Sequence, residues 1–136
     1  VDDVMNVAGH RLSTGEMEEV VGGHPSVAEC AVIARDDDLK GQVPMGLVVL
    51  KTGADIDEET LSKELTQMIR SAIGAIACYK ETHIVKRLPK TRSGKTLRKS
   101  LRQMVNGQPY VVPSTIDDVT IMPEIEALLR EKGVIG

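Results

Sequence analysis

The spacing of apolar positions along the chain predicts short strands and helices in alternation. Residues 1–12 mix apolar residues with the turn formers Asn6 and Gly9, and they predict a short extended hairpin. The run from Val27 to Ala34 is rich in Val, Ile and Ala and predicts a strand. Leu47 to Leu50 is continuously apolar, which is typical of a central strand that is buried on both faces.

Capping residues mark where the helices begin. Ser13 precedes Glu16 by three residues, which is a capping box, and a glycine pair closes the helix that follows. Asp57 caps a second helix, whose apolar residues recur at i, i+4, i+7 and i+8. Thr96 to Val105 predicts a basic helix, and Pro123 suits the first turn of a last short helix.

The remaining segments complete a predicted α+β fold. Arg35 to Asp38 is expected to break the first long strand, and Gly41 to Gly46 is expected to form a loop around Pro44. Thr82 to Val85 predicts a third strand. We therefore expect a small two-layer domain with a short sheet of about three strands, an N-terminal hairpin and packed helices. Residues 1–107 are predicted to form this domain, and residues 108–136 a C-terminal extension with a short helix.

Charge is distributed unevenly along the 136 residues. The formal net charge is −3, yet nine of the 17 Lys and Arg residues fall between Lys80 and Arg102, where only Glu81 opposes them. Such a cluster favours an anionic partner. No apolar run approaches the roughly 20 residues that span a bilayer, so no membrane partner is predicted. Cys and His residues show no metal-binding spacing, so no metal site is predicted. The chain starts at Val1 without Met, and we expect it to be part of a longer protein.

The segment Pro89-Lys-Thr-Arg-Ser-Gly-Lys95 carries the most chemical information. Thr91, Ser93 and Gly94 predict a turn with available backbone N–H groups, and Lys95 is expected at the junction with the basic helix. There a helix N-terminus would add positive potential, and a flexible ammonium could reach a phosphate or carboxylate oxygen. The leading glycine and the spacing of a Walker A loop are absent.

Two motifs in this order resemble those of the adenylate-forming acyl-CoA synthetases. The segment 89–95 is similar to the last motif of that family, and residues 2–12 are similar to its hinge-and-hairpin motif. The chain therefore resembles the family's small C-terminal domain. Residues 105–117, together with Ala8 in place of a serine, are most similar to the propionyl-CoA synthetase branch, which is related to acetyl-CoA synthetase.

The resemblance implies a two-step reaction and a role for each matching residue. A carboxylate attacks the α-phosphate of ATP to give acyl-AMP and pyrophosphate, and the CoA thiol then forms the thioester and releases AMP. The small domain presents a different face in each step, and its lysine acts in the first. By resemblance, the roles are as follows: Lys95 is catalytic, Asp2 is the hinge, Arg11 binds the nucleotide phosphate, and Ala8, Gly9 and Arg70 contribute to the CoA site.

The resemblance also implies substrates and partners. ATP, with Mg²⁺ bound mainly by a large N-terminal domain, and CoA are expected, together with a small carboxylate, propionate. Without that large domain the chain is expected to be inactive. Lys95 is expected to be a target for a lysine acetyltransferase and deacetylase. The location implied is the bacterial cytoplasm, or the mitochondrial matrix in a eukaryote.

Other interpretations remain open. The enzyme could be specific for acetate, or the chain could be a non-catalytic basic binding module. A nucleic-acid surface on the basic helix is disfavoured, because aromatic side chains for base stacking are almost absent. Arg11 could form a surface salt bridge, and Arg70 could pair with a neighbour one helical turn away.

Overall fold

The computed structural model describes residues 4–136 and divides the chain into two compact units. Unit 1 ends at Lys86, and unit 2 runs from Arg87 to Gly136. The predicted hinge residue Asp2 lies outside the described residues. The division of the sequence at residue 107 into a two-layer domain and a C-terminal extension stays a prediction.

Unit 1 contains a five-stranded mixed sheet. Its strands are β1 (Val4–Val7), β2 (His10–Ser13), β3 (Val27–Asp37), β4 (Gly41–Leu50) and β5 (Glu81–Ile84). Strand β4 is central, because it pairs antiparallel with β3 and β1 and parallel with β5, while β2 pairs only with β1 at the edge. The predicted α+β class is confirmed.

Two helices form the second layer of unit 1. Helix α1 (Thr14–Gly22) begins after Ser13, whose hydroxyl accepts the N–H of Glu16, and helix α2 (Glu58–Ala72) begins after Asp57, whose carboxylate accepts the N–H of Thr60. Both caps are the predicted ones, and each typically contributes about 1 kcal/mol. A short 3₁₀ turn (Ala75–Ala77) follows α2.

One aliphatic core joins the two layers of unit 1. Its members come from the hairpin, both helices and the central strands, and Tyr79 adds the aromatic component. On α2 the buried residues are Leu61, Leu65 and Ile69, which form one face of the helix as predicted. Each such burial contributes about 2 kcal/mol.

Strands β3 and β4 are longer than predicted. The expected break at Arg35 to Asp38 and the expected loop at Gly41 to Gly46 are both wrong, because these segments pair with each other as a long hairpin, from Arg35 opposite Val43 to Asp37 opposite Gly41. Pro44 lies between the points where β4 pairs with β1 and with β5. At this point β4 has a paired strand on one side only, so not every backbone N–H is needed for a hydrogen bond between strands and proline is tolerated.

Unit 2 contains two helices joined by an irregular segment. Helix α3 (Arg98–Val105) and helix α4 (Ile121–Glu131) bury Leu101, Met104, Ile125 and Leu129 among others. Helix α3 begins two residues later than the predicted Thr96. Residues 108–120 form neither a helix nor a strand of the sheet, and Ile116 among them is buried.

Candidate functional site

The N-terminal hairpin closes in a two-residue turn at Ala8 and Gly9. Both residues have positive φ, +50° at Ala8 and +86° at Gly9, which is the pattern of a type I′ turn. Asn6, predicted as a turn residue, instead lies in β1 opposite Arg11. Glycine suits the second position because it adopts positive φ without penalty. The turn places two small, exposed residues at the end of the hairpin.

The start of β4 supports this turn. The N–H of Ala8 donates to the carbonyl oxygen of Lys40 at 2.7 Å, and Val7 pairs with Gly41. A β-carbon built on Gly9 would meet no atom within 4 Å, so the space above the turn is open. An elongated ligand could therefore pass close to the backbone here. Ala8 offers such a ligand its backbone only, since it has no polar side-chain atom.

Arg11 and Arg70 are exposed cations on different elements of unit 1. Arg11 is on β2, where the next residue Leu12 faces the core, and Arg70 is in the last turn of α2, next to buried Ile69. Among residues 4–136 neither side chain has an ion-pair or hydrogen-bond partner, so the alternative structural explanations, a surface salt bridge and an i, i+4 pair, receive no support. Within residues 4–136, therefore, no group competes with an anionic ligand for either guanidinium.

Lys95 lies on a tight turn of unit 2 that begins at Thr91. The N–H of Thr91 donates to the carbonyl oxygen of Lys95 at 2.9 Å, and the N–H of Lys95 donates back to the Thr91 hydroxyl at 3.1 Å. The Thr91 hydroxyl also meets the Ser93 hydroxyl at 2.9 Å. The side chain of Lys95 is exposed, and in the part of the chain that the structure describes no group pairs with its ammonium.

Two expectations about this turn are wrong. The N–H groups of Thr91 and Gly94 are not available to a ligand, because they donate to the carbonyl oxygens of Lys95 and Thr91. Lys95 is also not at the helix junction: Thr96 pairs with Lys90, and helix α3 starts at Arg98. The helix N-terminus therefore cannot be credited with assisting Lys95, since a helix dipole acts mainly within the first turn. The ammonium itself remains the group that can bind an anion.

A polar network anchored on Arg87 was not predicted from the sequence. Arg87 donates from Nη1 to Asp118 at 2.6 Å and from Nη2 to the Thr120 hydroxyl at 2.9 Å, and its Nε contacts Glu124 at 3.3 Å. The pKa of the Asp118 carboxyl falls to about 2, because it accepts hydrogen bonds from the side chain and backbone of Thr120 and from Arg87. Arg87, one of the basic cluster, therefore serves an internal ion pair.

Glu81 is the centre of a second internal network, in which its carboxylate accepts hydrogen bonds from cationic side chains. Arg35 donates to both of its carboxylate oxygens, at 2.7 and 2.6 Å, and His83 Nε2 donates at 2.6 Å. Burial acts to raise the pKa of Glu81, but the hydrogen bonds from His83 and Arg35 outweigh it and the pKa is lowered. This cluster ties β3 to β5 across the central strand and uses Arg35 internally.

Two other kinds of feature are absent from residues 4–136. No three His, Cys, Asp or Glu side chains in this range are arranged to hold a metal ion. No helix in this part of the chain has both the length and the apolar character needed to cross a bilayer.

Comparison with known proteins gives one consistent family. Residues 16–95 match the family described as AMP-binding enzyme C-terminal domain. The chain is 62% identical over 129 residues to an uncharacterized protein of Pseudomonas aeruginosa, covering 95% of this chain and 20% of that protein. It is 48% identical over 131 residues to the mouse acyl-CoA synthetase short-chain family member 3, mitochondrial, covering 96% of this chain and 19% of the relative.

Two further matches point the same way. An acetyl-coenzyme A synthetase of Pyrobaculum arsenaticum is 45% identical over 130 residues, which is 96% of this chain and 19% of the relative. Among solved structures, a Brucella canis acyl-CoA synthetase superimposes with a TM-score of 0.69 at 32% identity, over 74% of this chain and 18% of that one. The chain spans about a fifth of the length of the curated relatives it matches.

Proposed function

This chain belongs to the AMP-binding enzyme C-terminal domain family, and we propose that it is the lid domain of an AMP-forming short-chain acyl-CoA synthetase that converts propionate to propionyl-CoA. The relatives that carry a functional name are short-chain acyl-CoA and acetyl-coenzyme A synthetases. The remaining four fifths of such an enzyme would be a large N-terminal domain. That domain would hold the acid, ATP and its Mg²⁺, so the chain by itself would be inactive.

Lys95 would stabilise the first half-reaction. In adenylation the propionate oxygen attacks the α-phosphate of ATP, and negative charge develops on the phosphate oxygens as pyrophosphate leaves. An exposed ammonium without a partner among the described residues, carried on an internally hydrogen-bonded turn, suits this task. That arrangement is the observation on which the proposal mainly rests.

Unit 1 would serve the second half-reaction. CoA is long, thin at its pantetheine arm and negatively charged at its nucleotide. The Ala8-Gly9 turn leaves open space for the arm, and Arg70 would bind a CoA phosphate. Arg11 would contact the phosphate of the nucleotide. Asp2 would be the hinge between the two half-reactions, since different faces of the domain are required in turn.

The role of Lys95 can be tested by separating the half-reactions in the full-length enzyme. Lys95→Ala should lower ATP–pyrophosphate exchange with propionate about 100-fold or more, the effect expected when one preorganised charge donor is removed. Thioester formation from preformed propionyl-AMP and CoA should stay near the wild-type rate. Lys99→Ala, which removes an equally exposed lysine from α3, is the matched control and should leave both rates unchanged. Unchanged exchange in Lys95→Ala would refute the proposed role.

Acetylation would regulate the enzyme through the same atom. Acetyl-Lys95 has no positive charge, so it should block adenylation as Lys95→Ala does. An acetyltransferase and a deacetylase would then be partners of this domain. Lys95-acetylated enzyme, verified by mass spectrometry, should lack pyrophosphate exchange and recover it after deacetylation; full activity of the acetylated form would contradict this.

Specificity for propionate over acetate would be determined in the large domain. Ala8 and the segment 105–117 are the features of this chain that favour propionate, by their resemblance to the propionyl-CoA synthetase branch. Acetate is the second candidate, because an acetyl-coenzyme A synthetase is among the relatives. Comparing kcat/KM for the two acids in the full-length enzyme decides between them. A bacterial cytoplasm or a mitochondrial matrix would suit either reaction, and the mouse relative is described as mitochondrial.

A further inference from the structure

The chain around Lys95 forms a small three-stranded ribbon inside unit 2. Its central arm is the pair Lys90 and Thr91. On one side Lys90 pairs antiparallel with Thr96, and Thr91 bonds the carbonyl of Lys95. On the other side Thr91 pairs antiparallel with Ile116. The arm that leads into the lysine turn is therefore bonded on both sides, once to the return arm and once to a segment far along the chain.

The outer arm of this ribbon is residues 115–117 of the C-terminal segment. The N–H of Arg92 donates to the carbonyl oxygen of Thr115 at 2.9 Å, and the N–H of Asp117 donates to the carbonyl oxygen of Lys90 at 2.8 Å. Between these two bonds the side chain of Ile116 is buried, with 4% of the residue exposed. The segment is thus held by backbone bonds, and its middle residue is buried at the same point.

The next residues fix the end of that arm. Asp118 bonds Arg87 at 2.6 Å, and its second carboxylate oxygen accepts the N–H and hydroxyl of Thr120, at 2.9 and 2.6 Å. Arg87 comes just before the arm that carries the lysine turn. One ion pair therefore links the start of the lysine arm to the end of the arm that flanks it.

An exposed lysine on a short turn needs such support if it is to act on a transition state. The turn itself contains a few short-range hydrogen bonds, and its residues 92–95 are exposed. Catalytic groups lose about 100-fold in rate when displaced by about 1 Å, even from a distant cause. Fixing the backbone on either side of the turn limits the positions that the Lys95 side chain can reach.

We propose that residues 115–118 are a positioning element for Lys95, which holds its turn in the geometry required for adenylation. This inference rests on the proposed function, since it assigns Ile116 and Asp118 a purpose only if Lys95 acts in the first half-reaction. It goes beyond the proposed function because it gives the C-terminal segment a role in adenylation. No catalytic group is assigned to that segment itself. Ile116 and Asp118 act by fixing the backbone on either side of the lysine turn, and neither is assigned a contact with substrate.

The test compares three variants of the full-length enzyme. Ile116→Ala removes the buried side chain of the outer arm, and Asp118→Asn weakens the bond to Arg87 with little change in size. Val119→Ala is the matched control, because its side chain lies in the same segment and is 67% exposed. Hydrogen–deuterium exchange at residues 90–96 measures the rigidity of the lysine turn, and the two half-reactions are assayed at a temperature where all variants remain folded.

The expected result is selective. Ile116→Ala should accelerate amide exchange at residues 90–96 and lower kcat for ATP–pyrophosphate exchange about 10-fold or more, with KM for ATP within about twofold, because a displaced lysine loses transition-state contacts and not ground-state binding. Asp118→Asn should act in the same direction with a smaller effect. Thioester formation from propionyl-AMP should be unchanged in both variants, and Val119→Ala should match the wild type throughout.

Two results would overturn the inference. The first is normal pyrophosphate exchange in Ile116→Ala despite faster amide exchange in the turn. The second is an equal fall of both half-reactions, which indicates general destabilisation. Lys95→Ala in the same assays separates this inference from the proposed function. If Lys95→Ala abolishes pyrophosphate exchange while Ile116→Ala does not, only the positioning role fails; if Lys95→Ala is fully active, both fail.

Discussion

The close approach of Tyr79 to Gly46 gives the most quantitative prediction for the fold. Gly46 lies in β4, where it faces Val32 of β3 and Thr82 of β5 in the strand register. A β-carbon at this position would overlap the Tyr79 hydroxyl oxygen and would lie 3.0 Å from Cζ. Tyr79 cannot easily retreat, because it is 3% exposed and its hydroxyl bonds the Thr82 hydroxyl at 2.8 Å.

The cost of Gly46→Ala follows from these contacts. Overpacking a filled core costs about 1–3 kcal/mol, and displacing Tyr79 from Thr82 forfeits a hydrogen bond with a net value of about 1 kcal/mol. Replacing a glycine within a strand returns about 0.5–1 kcal/mol of backbone entropy. We therefore expect the free energy of unfolding to fall by about 1–3.5 kcal/mol. Urea unfolding of the 136-residue chain followed by far-ultraviolet circular dichroism measures this, with β4 amide exchange to confirm that unit 1 is affected.

A double-mutant cycle identifies the cause. Tyr79→Phe removes the overlapping hydroxyl oxygen and leaves the ring carbon at 3.0 Å, so Gly46→Ala should cost at least about 1 kcal/mol less in the Tyr79→Phe background than in the wild type. The cost of Tyr79→Phe alone, from the unpaired Thr82 hydroxyl, cancels in the cycle. If Gly46→Ala costs under about 1 kcal/mol, or costs the same in both backgrounds, the steric argument is wrong.

Two further predictions concern the site. Gly9→Ala should lower the free energy of unfolding by about 1–2 kcal/mol, because its φ of +86° is strained for any residue with a β-carbon. The same variant should slow thioester formation and leave pyrophosphate exchange unchanged, whereas Ala8→Gly should be near neutral for both half-reactions. A normal thioester rate in Gly9→Ala would exclude the proposed passage of CoA. The depressed pKa of Asp118, about 2 when folded against about 3.9 when unfolded, contributes stability that is fully present above about pH 4 and is lost as the pH falls towards 2. Thermal unfolding of the wild type and of Asp118→Asn should therefore differ at about pH 6 and converge near pH 2, and a constant difference across that range would argue against a carboxylate stabilised by Thr120 and Arg87.

Local signals in the sequence are sufficient to predict the helix caps. Ser13 and Asp57 bond N–H groups three residues later, so the whole interaction is contained in one turn of sequence. The apolar face of α2 is equally local, because Leu61, Leu65 and Ile69 fall on one side of any helix with about 3.6 residues per turn. These features need no knowledge of the rest of the fold.

The sequence-based predictions are wrong where pairing between distant segments determines the local structure. Arg35 to Asp37 is polar and looks like a strand end, but it continues β3 because Gly41 to Val43 lies beside it. Thr96 looks helical from its neighbours, yet its pairing with Lys90 delays α3. Ile116 is easily overlooked because it is one of several aliphatic residues in an irregular segment, and the others are exposed: Val111, Val112 and Val119. Its position between Pro113 and the capping-type residue Asp118 is the one local signal of a fixed point in that segment.

The family motifs locate the candidate residues, but their surroundings could not be predicted. Lys95, Arg11 and Arg70 are exposed as expected of ligand-binding cations, and the Ala8-Gly9 turn is formed as the hairpin motif requires. The N–H groups of the lysine turn are the exception. Those of Thr91 and Gly94 are used internally, so the expected anion binding depends mainly on the Lys95 side chain.

Partner residues divide the basic cluster into two kinds of cation, those that interact within the chain and those that are exposed. Arg87 is held by Asp118 and Glu124, and Lys90 and Arg98 also have interactions within the chain. Lys95 has none among the described residues. A surface that binds a polyanion by counterion release gains from every cation that it presents to solvent. Here three of the nine cations are engaged within the chain, which reduces the number that a polyanion could use. Lys95 remains exposed on a hydrogen-bonded turn, as the proposed adenylyl-transfer step requires.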